Sequence, residues 1–529
     1  MADNGQGRRR FWWRLAAIAI PALLLYVTFL TYAPIYLAHD EVNFGLAAHS
    51  IAHTGHDLNG QRWPIIFHII TRYGRYYATP VVIYTTALLM RIAPISEWSI
   101  RFPTALLGAI DVVLVFLFGR RLFRNDALAA IAAILLALTP AFFIHARLAV
   151  DHTYPIVFML AWLYGLATFL ETGSLTWLAI ASTMLAVGTF SYLAAMVMMP
   201  LYVVLTLVVL WWNRARRSAF GVVVAGYAWP LVVLMLWFAA DPSRYHELLA
   251  FYALPDAAAG VSPLRSVLRL FSYFSLGVRA GVYWDFFNPS MLFFSGDASF
   301  LSSTRQVGVF LLPFVVLLPL GAYQIVKRHR APLPVLVLTG FLTAPLAAVL
   351  ALAVTIHRAL VMLPFAAMVA AYGVEWFLER DVRWRRAMYA LLALIPLQFA
   401  WFYRDYMTGY RVRSAFWFER DQRGAVDAVI AREPPDHSVP VYLSSDIQWL
   451  EENWRLYTLK HSRADLIGRA VFVDPRQLTA TTMPAGALLI SEGADPVVRA
   501  LLDRGALTQV ALITEPDPQF SYIVAEAVR

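Results

Sequence analysis

The sequence predicts a polytopic α-helical membrane protein of about 11 transmembrane helices, followed by a small C-terminal α/β domain. Three observations point there. Of the 529 residues, 60% are hydrophobic and only 15% charged, with a mean hydropathy of +0.60. Soluble domains carry roughly 45–50% apolar and about 25% charged residues. Apolar runs of spanning length recur between residues 14 and 403, each near the ~20 residues a bilayer needs. Beyond residue 404 the hydrophobicity drops and short alternating segments take over. The net charge of +9 comes from basic residues scattered among apolar runs, which argues against a nucleic-acid partner and for a lipid bilayer. The chain has no cysteine, so disulfides and thiolate metal sites are excluded.

The elements follow in order. "RRRFWWRLAAIAIPALLLYVTFL" resembles a signal peptide. Its apolar core is too long and no A-x-A-like site follows, so it reads as a retained anchor. Spans are expected over 14–36, 101–119, 127–146, 153–170, 174–190, 195–212, 219–239, 306–326, 332–354, 358–378 and 386–403. Segment 80–93 is apolar but short and holds Arg91, and reads as interfacial or re-entrant. Basic clusters test this layout: Arg8–Arg10 with Arg14; Arg120, Arg121 and Arg124; Arg214, Arg216 and Arg217; Lys327, Arg328 and Arg330; Arg380, Arg383, Arg385 and Arg386. With these spans all fall on one side, which the positive-inside rule makes the cytoplasm. Counting 80–93 as a span would flip every cluster after the first.

The opposite face receives two long loops, 37–100 and 240–305, and short turns at "HARLAVDHTY", "SYLA" and "TIHRAL". Residues 1–403 thus form a membrane domain, and the last span delivers 404–529 to that same outer face. Loop 404–424, rich in Arg and aromatics, is expected to run along the membrane surface. Strands are expected at "VPVYLSS", "AVFVD", "GALLIS", "TQVALIT" and "FSYIVAEAV", helices at "IQWLEENWRLYTLKH" and "DPVVRALLDRG". Such alternation predicts an α/β domain.

Topology alone collects Asp40, Glu41, Arg147, Asp151, His152, His357 and Arg358 at the outer membrane surface, from three separate places in the chain. Ionisable groups at membrane depth are costly and face a cavity or a partner. The bland alternative is a set of helix ends solvated by headgroups. Acids and bases here suit attack on a lipid-linked phospho-sugar. A carboxylate takes the proton of an acceptor hydroxyl. Arg and His donors stabilise the departing polyprenyl phosphate.

Five stretches carry a resemblance. They are "HDEVNFGLAAHSIAHTGHDLNGQRWP", with a TGxDxxGxxxP turn; "RYYATPVVIYTTALLMRIAPISEWSIRFPTALLGA", ending in RxPxAxxG; "ARLAVDHTYPIVFML", with aRxxxD; "FFNPSMLFFSGD"; and "HRALVMLPFAAMVAAYG". In order and topology they resemble the GT-C superfamily of membrane glycosyltransferases, on the branch of the protein O-mannosyltransferases and the aminoarabinose transferases of lipid A. The resemblance covers roughly residues 15–380. It implies a hexosyl or pentosyl transferase using a polyprenyl-phosphate sugar donor and a cell-envelope acceptor. Asp40 then matches the catalytic base and Glu41 the second acid that orients the site. Asp151 matches an acid that could bind a metal or an acceptor, or hold an Arg. Arg358 matches the basic residue for the lipid phosphate, with His357 beside it. The family often has Lys or His before "PP" in the interfacial segment. This chain has "YYATPV", and Thr79 and Val81 cannot supply that charge, so Arg72 or Arg75 is expected to replace it.

Weaker signals complete the reading. His49 and His53 are four apart, a spacing that can bind zinc, though a wet helix face explains them as well. No metal is assigned; Mg²⁺ or Mn²⁺ between Asp40 and Asp151 stays open. Tyr283, Trp284 and Asp285 are candidates for sugar or acceptor contact, although an interfacial aromatic belt explains such aromatics as well. Asp297 could touch the acceptor or be a solvated turn residue. Asp111 is expected to pair inside the bundle. The rival function is a lipid or glycan transporter or flippase. It is disfavoured because no internal repeat is visible and the acids lie at one surface rather than the midplane. A catalytically dead scaffold is a third reading.

Overall fold

The computed structural model describes residues 2–243, 271–434, 438–479, 481–516 and 521–528, with side chains from Arg9 onward. Of the expected second long loop, residues 244–270 lie outside the described residues.

Helices occupy all eleven positions expected of spans. Six are long and apolar enough to cross a bilayer by length and composition: Arg9–Val27, Glu97–Phe123, Asp151–Thr172, Ala195–Trp212, Arg217–Ala240 and Pro332–Leu350. Pro80–Met90 forms a helix of 11 residues, about 16 Å long and roughly half the depth of a hydrocarbon core. The chain is a polytopic helical membrane protein with a C-terminal sheet region.

Several boundaries differ from expectation for identifiable reasons. The first helix stops at Val27 rather than 36. The Arg147 guanidinium there accepts no extension of the helix: it donates to the carbonyls of Tyr26 and Thr28, both at 2.8 Å. A cation on the last carbonyls is a favourable helix end. The expected span 127–146 breaks into Asp126–Ala137 and Pro140–His145. Pro140 cannot donate to the preceding turn but suits a helix start. Pro345 likewise separates Pro332–Thr343 from Leu346–Leu350. Residues 404–424 are not a loop. Helix Val382–Met407 runs through, and short turns Gly409–Arg413 and Ala415–Phe418 lead into Gln422–Arg432. Tyr406 and Tyr410, four apart, are fully buried and stacked at 4.9 Å.

The chain forms two compact units. Unit one is Met1–Thr28, Tyr77–Val82 and Thr104–Arg404; unit two is Phe29–Tyr76, Ile83–Pro103 and Asp405–Arg529. Residues Phe29–Tyr76 of the first loop fall in the same unit as Asp405–Arg529. In unit one, helix Met362–Leu378 is buried along nearly its whole length. It packs backbone to backbone against Phe314–Arg328. A Cβ on Gly321 would sit 1.8 Å from the Val369 carbonyl, and one on Gly373 2.2 Å from that of Leu317. Glycine at both positions lets the helices touch.

Unit two holds a five-stranded sheet of β3 (Val441–Ser444), β4 (Ala470–Val473), β5 (Leu488–Glu492), β6 (Leu507–Thr514) and β7 (Ser521–Ala527), in the order β4-β3-β5-β7-β6. β3 runs parallel to β4 and β5, whereas β7 is antiparallel to β5 and β6. All five strands and both helices expected from the sequence are present. Burial explains why: β5 and β7 are buried almost continuously, and Leu489, Ile523 and Ala525 share one core with Val498 and Leu501 of helix Pro496–Asp503. That helix starts on Asp495, whose side chain accepts from the Val497 and Val498 amides. The first loop contributes a ribbon, β1 (Phe67–Thr71) and β2 (Gly74–Ala78), and helix His39–Thr54.

Candidate active site

The centre in unit two is built on the start of helix His39–Thr54. Asp40 and Glu41 are adjacent but meet opposite fates. Glu41 is fully buried and clasped by Arg101: Nε donates to Oε1 at 2.8 Å and Nη2 to Oε2 at 2.9 Å. Arg101 also donates to the carbonyls of Pro34 and Tyr36, at 2.9 and 2.5 Å. Glu41 Oε2 accepts the Ala38 amide at 3.0 Å. A buried pair survives when its remaining hydrogen-bonding capacity is met in this way. Both Glu41 oxygens are thus occupied by Arg101 and the Ala38 amide. Arg101 was given no role from sequence, although it is the Arg of the RxPxAxxG stretch.

Asp40 keeps about a third of its side chain exposed, at 34%. Its Oδ1 lies 3.7 Å from His39 Nε2. The other His39 nitrogen, Nδ1, is 3.0 Å from Glu419 Oε1. The His39 ring stacks on Trp449 at 4.5 Å with 10° between planes. Burial raises the Asp40 carboxyl above its ordinary range; His39 and the Tyr76 hydroxyl pull it down, and Glu41 pushes it up. Burial opposes charge on His39, yet Glu419, Asp40 and Glu452 carry it above its ordinary value. Glu419 and Trp449 both sit at φ 61°, a region costly for side chains of this size. The two partners of His39 are thus held in strained backbone.

Other expected residues in unit two stand elsewhere. Arg72 lies over the Phe472 ring, 4.2 Å from its centroid, and Arg75 is exposed in β2. His49 and His53 rings are 4.2 Å apart, with His53 Nδ1 on the His49 carbonyl at 2.9 Å. Among the described residues no three His, Cys, Asp or Glu converge on a metal position.

The centre in unit one gathers Asp151, His152, His357 and Arg358. Asp151 opens the turn Asp151–Thr153 before helix Tyr154–Thr172. Its Oδ2 accepts from the Thr79 hydroxyl at 3.0 Å, and Oδ1 is 3.8 Å from His152 Nε2. Thr79, set aside in the sequence as uncharged, is thus the holder of Asp151. His152 stacks on His357 at 4.4 Å with 18° between planes, and meets Tyr192 edge-on at 4.9 Å. His357 and Arg358 ride on the turn Ile356–Ala359. Burial, then the Arg358 cation, hold the His357 imidazole down at about 4, so it is neutral at physiological pH. Arg358 Nε is buried without a hydrogen-bond partner among the described residues.

Asp297 carries this turn. Only 3% exposed, it accepts the Ile356 amide at 2.6 Å and the Ser299 amide at 2.8 Å. It is neither solvated nor open to an acceptor; it ties "FFNPSMLFFSGD" to "HRALVMLPF". Tyr283 donates to the Leu342 carbonyl at 3.0 Å, while Trp284 and Asp285 are exposed. Arg147 belongs to the end of the first helix, as described above. Asp111 is fully buried, and neither oxygen finds the expected partner among the described residues.

Comparison with known proteins follows this geometry. Residues 78–239 match the family model of dolichyl-phosphate-mannose-protein mannosyltransferases. By shape the chain resembles ArnT from Cupriavidus metallidurans bound to undecaprenyl phosphate. The TM-score is 0.52 at 13% identity, covering 96% of this chain and 97% of that one. The apo state of the same protein aligns at a TM-score of 0.50 and 13% identity, over 99% and 98% of the two chains. The chain has the GT-C fold. A second GT-C relative by shape is the archaeal oligosaccharyltransferase AglB from Archaeoglobus fulgidus, in complex with an inhibitory peptide and a dolichol-phosphate. It aligns at a TM-score of 0.50 and 15% identity, over 97% of this chain and 74% of that one. No curated protein matches the sequence itself. The expected GT-C resemblance is borne out. The matched family segment contains Asp151, but Asp40, Glu41 and Arg358 lie outside it.

Proposed function

We propose that this protein is an inverting glycosyltransferase that moves a sugar from a polyprenyl-phosphate donor to an acceptor on the periplasmic side of the bacterial inner membrane. One observation carries the reading: of two adjacent acids, Glu41 is locked by Arg101 while Asp40 stays accessible beside a His39–Glu419 pair. That is the arrangement of a general base with its surroundings fixed. The fold match to a protein bound to undecaprenyl phosphate supports a lipid-phosphate donor.

In the proposed step the acceptor oxygen bonds to the anomeric carbon as the bond from that carbon to the phosphate oxygen breaks. The acceptor proton passes to Asp40, and the bonding pair leaves with polyprenyl phosphate. Attack opposite the leaving group inverts the anomeric configuration. Arg358 binds the phosphate, whose charge grows in the transition state. Neutral His357 and His152 donate or accept hydrogen bonds without adding charge. Asp151 orients Thr79 and His152. The C-terminal helices and sheet present the acceptor.

The test is release of polyprenyl phosphate from a panel of polyprenyl-phospho-sugars supplied with envelope extract, by wild type and Asp40→Asn. Release by wild type and its near loss in the variant supports the assignment. Equal release by both removes Asp40 as the base. No release with any donor returns the lipid-transport reading.

A further inference from the structure

Unit two contains a pocket separate from the Asp40 carboxyl but on the same helix. It encloses about 270 Å³ and is lined by Asn43, Leu46, Ala47, Asp57, Phe67, Arg72 and Glu452 among others. Small-molecule pockets run at roughly 300–1,000 Å³, so this one has room for one compact ring rather than an extended chain.

Two of its acids are more than nine-tenths buried and carry an oxygen without a hydrogen bond among the described residues, Asp57 Oδ2 and Glu452 Oε2, each residue 6% exposed. Asn43 beside them is 2% exposed and faces the Tyr76 hydroxyl. Leaving such groups unsatisfied costs about 1–3 kcal/mol each. Their neighbouring atoms are well used. Asp57 Oδ1 accepts the amides of Asn59 and Gln61 at 2.9 and 2.7 Å, which fixes the turn and leaves Oδ2 over. Of the cations in the wall, Arg455 pairs with Glu451 at 2.7 Å and Arg72 lies over Phe472, and both act on Glu452.

The chemistry of the missing ligand follows from these leftovers. Two carboxylate oxygens accept, so the ligand must bring donors. Hydroxyl groups supply them. Two carboxylates in the wall disfavour an anion. Leu46, Ala47 and Phe67 supply apolar wall for the C–H face of a ring. Asn43 is three residues beyond Asp40 and shares its helix face, with Cβ atoms about 5–6 Å apart. A ring seated here can therefore present a hydroxyl towards the base.

We propose that this pocket is a saccharide subsite for the acceptor, holding a neutral or amino-sugar ring through Asn43, Asp57 and Glu452. The proposal deepens the transferase reading, and rests on it for the word acceptor. Binding can be measured without turnover. The full-length protein in detergent is probed with methyl glycosides of hexoses and hexosamines by saturation-transfer NMR and titration. Glu452→Gln and Asn43→Asp are near-isosteric, and their thermal unfolding is followed in parallel. The expected result is saturable binding of at least one glycoside by wild type, weakened about tenfold in each variant, as befits loss of one hydrogen bond involving a charged or buried group. With an active donor, the acceptor KM rises by a similar factor while kcat changes less. No saturable binding by wild type, or equal binding by both folded variants, overturns the subsite. Binding lost in the variants with no transfer from any donor would keep the subsite and sink the transferase reading instead.

Discussion

The Asp40 centre of unit two and the His357–Arg358 centre of unit one are made of opposite materials. The first is a run of acids around one imidazole: Asp40, His39 and Glu419, with Glu41 sealed behind. The second is a stack of two imidazoles beside a guanidinium with an unused buried nitrogen. Local charge decides what each can do. Burial, with Glu41 adding to it, raises the Asp40 carboxyl, and Glu419 and Asp40 raise the His39 imidazole against its burial. In the other centre Arg358 and burial keep His357 neutral. A proton acceptor and an anion binder require these opposite environments. Both centres rest on the same kind of support, a buried residue that touches neither reacting group: Arg101 behind Asp40, Asp297 behind Arg358.

The comparison breaks most sharply at the two named groups. Asp40→Asn should cut the rate of polyprenyl phosphate release by about 10²–10⁴-fold, read in single turnover, with thermal stability near wild type. Arg358→Ala should lower kcat/KM by about 10²–10³-fold, and Arg358→Lys should recover part of it. If the pair of variants showed the same kinetic signature, one centre rather than two would be at work.

The supports come next. Arg101→Met leaves Glu41 buried and unpaired, and should cost about 3–5 kcal/mol of stability. Joining it with Glu41→Leu should restore much of the loss, since apolar replacement of both partners is often neutral. Failure of that rescue in thermal unfolding would show that the pair does more than hold the helix start. Asp297→Asn keeps the shape but weakens two amide bonds, and should cost about 1–3 kcal/mol of stability in thermal unfolding, together with a higher KM for the donor and an unchanged acceptor KM.

The smallest effect sharpens the electrostatic contrast. Activity needs ionised Asp40, so it should fall as pH drops through a pKa above the usual carboxylate range. His39 pulls that pKa down; His39→Gln should therefore move the acid limb of the pH–rate profile to higher pH. A limb that stays in place would detach His39 from the base.

Much of this was legible in the sequence, for particular reasons. Spans were visible because hydrocarbon demands long apolar runs, and the five strands because short apolar runs lie between polar and turn residues. Asp40 and Asp151 stood out as acids beside spans. What stayed hidden depends on long-range pairing. Arg101 meets Glu41 across 60 positions, Asp297 meets Ile356 across 59, and Thr79 meets Asp151 across 72. The stretches "RFPT", "SGD" and "YYATP" were visible as motifs, but nothing local in them names the distant residue each one holds. The breaks at Pro140 and Pro345 were local and readable; the stop at Val27 was not, because Arg147 makes it from 120 residues away.

The division of labour is tested most directly by equilibrium binding of polyprenyl phosphate, without acceptor, to wild type, Asp40→Asn and Arg358→Ala. The account predicts that Asp40→Asn binds like wild type, while Arg358→Ala binds at least about tenfold more weakly, as expected for losing a charge-assisted contact. Normal binding by Arg358→Ala with loss in Asp40→Asn would contradict it, and would move the phosphate to the acidic centre.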